Sequence, residues 1–185
     1  MSDSPIIDAT QRWLSSFIIH HNICPFAQRE QQRNSIRYHV SQATSLEQAL
    51  ETLMQECAQL DADPETATTL LIFSQGFGDF DDYLDLLTLA EQLMAEQGYE
   101  GIYQLASFHP DYCFADSDKG DAANYTNRSP YPMLHLIREA QLEQALAHYP
   151  NPEQIPERNI QLTRAMGSQA LTTLLEACHH ANRSD

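Results

Sequence analysis

Apolar positions repeat along this chain with two periods, and the alternation between them lays out the elements. From Ser4-Pro5 onward, Ile6/Ile7, Trp13/Leu14 and Phe17/Ile18 fall at helical spacing, with Ser-Pro as a capping start. Pro25 disfavours helical geometry at Cys24, which ends this helix and allows a short second one through Gln28–Gln32 with Cys24 at its N-cap. Over 35–41 the period becomes two, Ile36, Tyr38 and Val40 against Arg37 and His39, as in a strand with one buried face. Ser45 and Gln48 make a capping box, which launches a helix with Leu46, Ala49/Leu50, Leu53/Met54, Cys57 and Leu60 on one side.

The run 68–74, Thr-Thr-Leu-Leu-Ile-Phe-Ser, is nearly continuous and reads as a strand covered on both faces. Gln75–Asp79 turns the chain into a third helix burying Leu86/Leu87, Ala90 and Leu93/Met94, with Gly98 as its stop. Gly101–Phe108 is the third strand. Ser129-Pro130 predicts another helix, carrying Met133, Leu134, Leu136 and Ile137 and continuing through Leu142 and Leu146. After Pro150, Pro152 and Pro156 comes a terminal helix, which Gly167-Ser168 divides.

Strands alternating with helices predict one α/β domain over 1–185. Its sheet is small, open and mainly parallel, three- to four-stranded, flanked by helices and with helical N- and C-termini. Strand 68–74 is central, with 35–41 and 101–108 beside it, and any fourth strand lies near Tyr112–Ala115. Right-handed crossovers then place both connecting helices on one face, leaving the terminal helices to cover the other.

The formal charge of −16 argues against a phosphate-backbone or anionic membrane partner. Four cysteines without a C-x-x-C pair, and no export or membrane-spanning segment, predict a reduced cytoplasmic protein. Oligomeric state is left open by the sequence.

Candidate chemistry gathers at the C-terminal strand ends, where parallel sheets bind ligands. There Gln75–Asp79 and Phe108-His109-Pro110 should face each other, beneath a long polar loop running to about residue 131. His109, fixed by Pro110 among aromatics, is either an acid/base or metal-ligand candidate or a residue whose ring nitrogens tie the loop to the body, and Cys24, at a helix start, is the alternative nucleophile. Asn124, Tyr125, Asn127 and Arg128 precede the expected helix N-terminus and form an anion site with it, and Tyr131, His135 and Arg138 on that helix line the pocket from the side. Asp79 and Asp82 suit either helix-dipole stabilisation or Mg²⁺. Two functions follow, beside a third reading in which His109, Arg128 and the aspartates only staple the loop. One is a small-molecule hydrolase or group transferase acting on an anionic metabolite at the sheet edge. The other is a non-catalytic ligand-binding or adaptor protein that uses the 109–131 loop as its recognition surface.

Cys24-Pro25-Phe26-Ala27, Gly78–Leu84, Ser107–Tyr112, Asn124–Glu139 and Ile155–Asn159 resemble the bacterial domain-of-unknown-function 1415 family across nearly the whole chain. The resemblance implies a bacterial single-domain protein and assigns no catalytic residue.

Overall fold

The computed structural model describes residues 3–180. Its centre is a four-stranded open sheet of β1 (Ile36–Ser41), β2 (Thr68–Phe73), β3 (Tyr103–Phe108) and β4 (Met133–Arg138), in the order β1-β2-β4-β3. β1 and β2 are parallel, with Ile36 opposite Thr68. β4 runs antiparallel to both β2 and β3. The α/β class and open sheet match the expectation, whereas a mainly parallel sheet with β3 beside β2 does not. β1, β2 and β3 do point the same way, but β4 is inserted between the last two.

β4 occupies the segment expected to be a helix. Pro132 biases Tyr131 towards extended geometry, and the residues that follow are apolar on both faces, as an interior strand requires. Leu134 and Leu136 enter one core, while Met133 enters the other. Extended geometry also separates His135 and Arg138, which a helix would have put on neighbouring faces; three residues apart on a strand, they point to opposite sides. Tyr112–Ala115, the alternative fourth strand, is loop.

α3 (Leu46–Ala62) and α4 (Phe80–Glu96) cover one face of the sheet, as right-handed crossovers require. Ser45 caps α3 by accepting from the Gln48 amide, and the Gln48 side chain accepts from the Thr44 amide. The other face is covered from both ends of the chain. From the N-terminal end come α1 (Ser4–Trp13), a π-helical stretch over Leu14–Ile19, and α2 (Ala27–Gln32). After β4 follow α5 (Glu139–Leu146), α6 (Ile155–Met166) and α7 (Ser168–Ala177), the last two separated at Gly167 with φ 82°. This second core joins Trp13, Phe17 and Ile18 to Leu70, Ile72, Met133 and Leu171.

Candidate functional site

The strand ends meet as expected, but the meeting point is filled. His109 is fully buried. Its Nε2 donates to the Phe77 carbonyl at 3.0 Å and its Nδ1 accepts from the Asp111 amide at 3.0 Å, so both ring nitrogens of the neutral imidazole are spent on backbone. Phe80 and Tyr83 pack on the ring, each with centroids 5.1 Å away. Burial pushes its pKa down, with the Phe77 carbonyl pulling the other way. The Tyr83 hydroxyl donates to the Met133 carbonyl at 2.8 Å and accepts from the Phe108 amide at 3.0 Å, tying β3 and β4 to α4. Phe77 itself holds φ 62°, a costly conformation for a bulky residue, and His109 fastens it. Here His109 acts as a clasp between the β2 and β3 ends.

The loop beyond it is held in the same manner. Asn124 is fully buried, accepting from the Phe114 amide at 3.1 Å and donating to the Asp118 carbonyl at 2.9 Å. Arg128 donates through Nε to the Tyr112 carbonyl and through Nη2 to the Lys119 carbonyl, and lies 4.5 Å over the Tyr125 ring. Tyr125 shares a 2.6 Å hydrogen bond with Thr172, and Asn127 donates to the Ser107 carbonyl. Tyr131 packs edge-on against His179. The expected anion site has lost its helix, since the chain after Pro130 enters β4 and only a 3-10 turn over Ala122–Thr126 precedes it.

Arg138 lies on the opposite sheet face and caps the end of α3, donating to the carbonyls of Leu60, Asp63 and Thr66. Asp79 is the N-cap of α4, its Oδ1 accepting from the Asp81 and Asp82 amides at 2.9 and 3.2 Å. Among the described residues no group of three or more His, Cys, Asp or Glu stands close enough to hold a metal ion. Cys24 is not an N-cap, because α2 begins at Ala27 with Phe26 capping. Burial raises its pKa, outweighing the Phe26 and Ala27 amides that favour thiolate.

Three of the candidates, Cys24, Asn127 and His135, share a wall elsewhere. Between the sheet and the N-terminal helices lies a cavity of about 450 Å³. Its floor is Leu70 of β2, Ala106 and Phe108 of β3, and His135 and Ile137 of β4. Trp13, Leu14, Ile18, Ile23 and Phe26 roof it, and Ile155, Pro156 and Ile160 close one side. The walls hold together through a few polar ties. Trp13 Nε1 donates to the Arg128 carbonyl at 3.1 Å, and Asn159 Nδ2 donates to the Ile23 carbonyl at 2.8 Å. Arg158 reaches the Asn22 carbonyl and the Tyr149 hydroxyl.

The cavity was not foreseen because most of its lining reads as ordinary core in the sequence. Most of its apolar side chains sit on regular helix or strand stripes, and nothing in a stripe tells contact from void. The one available signal was His135 within the otherwise apolar run Met133–Ile137. His135 Nε2 is 2.6 Å from Thr68 Oγ1, which is also 2.5 Å from the Leu136 carbonyl oxygen. Burial lowers the His135 pKa to about 4.

No helix among the described residues is long and apolar enough to cross a membrane. Comparison with curated proteins and with solved structures found no match. The segments that carried the resemblance supply much of the cavity wall: Cys24, Phe26 and Ala27 from the first, Phe108 from another, Asn127 and His135 from the longest, and Ile155, Pro156 and Asn159 from the last. The family model described as protein of unknown function (DUF1415) matches residues 5–173, and the chain belongs to that family.

Proposed function

We propose that this protein binds a small, predominantly apolar molecule in the cavity between the sheet and its N-terminal helices. The observation that carries this reading is the void itself. Protein interiors are close-packed, with few gaps larger than a water molecule, whereas about 450 Å³ lies within the range of small-molecule sites. Its walls are largely aliphatic and aromatic, with a few polar side chains set among them, the composition that orients a ligand while burying most of it. Binding is favoured over catalysis because His109 spends both nitrogens on backbone and burial favours the thiol form of Cys24. An anionic ligand is disfavoured, since neither Lys nor Arg is among the lining residues and Glu30 is.

The test is a fluorescence titration with N-phenyl-1-naphthylamine, which brightens in apolar surroundings, on wild type and on Ala106→Phe, whose ring would fill the floor. Saturable one-to-one binding by wild type, lost in a variant that still melts cooperatively, supports the reading. No saturable binding, or equal binding by both proteins, refutes it.

A further inference from the structure

The polar side chains in the cavity wall differ in one respect that decides what can occupy it. Asn127 and Asn159 donate to backbone carbonyls, and Thr126 donates to the Ala123 carbonyl. Glu30 accepts from Ser35 at 2.6 Å and lies 3.7 Å from the Arg29 guanidinium. Cys24 faces the Phe26 and Ala27 amides. His135 is different. Thr68 Oγ1 has one proton and two close neighbours, and the Leu136 carbonyl can only accept, so the hydroxyl donates there. Oγ1 is then the acceptor for His135, and Nε2 must carry the ring hydrogen. That leaves a lone pair on Nδ1 without a hydrogen-bond partner among the described residues.

This nitrogen is not sealed in packing. Among the described residues, the one side-chain oxygen or nitrogen both buried and unpartnered is Thr69 Oγ1, on the other face of the sheet. His135 keeps partial exposure and lines the cavity, so Nδ1 opens onto it. Resting on the reading of the cavity as a ligand site, we propose that its occupant is an uncharged, mainly apolar molecule with one hydrogen-bond donor, a hydroxyl or amide N–H, given to Nδ1 of His135. An ether or ketone would set lone pair against lone pair. An ion would leave water for a wall with no opposite charge to spare, at a cost no single contact here repays.

The isomers 1-octanol and 1-methoxyheptane have the same atoms and differ in whether the oxygen donates. With octylammonium and octanoate, they are used at pH 7.5 to displace N-phenyl-1-naphthylamine. Octanol should displace the probe at a concentration about 3- to 10-fold lower than its ether isomer, the worth of one neutral hydrogen bond. That gap should close in His135→Phe. In wild type, which needs no substitution, the ¹⁵N resonance of His135 Nδ1 should move on adding octanol and stay put with the ether. Equal displacement by the isomers, or an unmoved resonance, overturns the assignment while leaving the cavity a binding site. Strongest displacement by octylammonium overturns it in favour of Glu30 as the anchor. Failure of the probe to bind removes the cavity reading, and this inference with it.

Discussion

Replacing His135 with phenylalanine should remove a defined part of the protein's sensitivity to acid. Burial takes this imidazole from an ordinary value of 6.5 to about 4. Between those values the unfolded chain takes up a proton that the folded chain refuses, so stability falls as pH is lowered through the window. The contribution is fully present above 6.5. By pH 4.5 it has lost roughly 2–3 kcal/mol relative to pH 7.5, from the ratio of protonated to neutral forms in the two states. His109, also lowered by burial, adds loss of the same sign and remains in the variant. Glu56 acts below the window: burial would raise it, but hydrogen bonds from His39 and Arg37 hold it at about 2, so its contribution is lost only as pH falls from 4.5 towards that value. Urea unfolding of wild type and His135→Phe at pH 7.5 and 4.5 isolates the one group. The variant should lose roughly 2–3 kcal/mol less than wild type on acidification. Identical losses in the two proteins would refute the assignment of His135 as a ring that folding keeps neutral.

Arg138→Met should cost about 2–4 kcal/mol by stranding the carbonyls that end α3, seen as a lower urea midpoint with an unchanged slope. Gly76→Ala should prevent accumulation of folded protein or lower its melting temperature steeply, because the added Cβ would lie 2.4 Å from the Ala43 carbonyl oxygen, a backbone atom. Asp79→Ala should cost about 1 kcal/mol as a lost N-cap. In calorimetry it should leave any Mg²⁺ response unchanged; a Mg²⁺-dependent rise in wild-type melting temperature that Asp79→Ala abolishes would restore the metal reading.

The helices around β2 were legible because their signals are local. Ser45 with Gln48, Asp79 before Phe80 and Gly98 after Glu96 each act over a few residues, and the structure uses all three. β4 was not legible, because a strand covered on both faces has no alternation to show. Met-Leu-His-Leu-Ile-Arg therefore suits a helix as well as an interior strand, and Ser129-Pro130 tipped the balance the wrong way. Only competition for the slot between β2 and β3 decides it, and that is tertiary. The candidate site divides along the same line. The strand ends and long loop were singled out as a ligand site and do come together, but whether His109 and Arg128 face a ligand or their own backbone depends on side-chain directions that residue types and spacing leave open. Here they bond backbone, while the hollow formed where the two chain ends cross the other face.

The late placement of β4 has a consequence for biosynthesis. A chain synthesised only as far as Phe108 can pair β1 with β2, but the flanks of β2 and β3 that will receive β4 have no partner until Arg138 has emerged. During that interval two ribbons of unpaired amides and carbonyls stand open to neighbouring chains. Nascent chains halted before Met133 should therefore aggregate or recruit chaperones where chains released at full length do not, and the vulnerable interval spans the very loop that His109 and Arg128 later pin down.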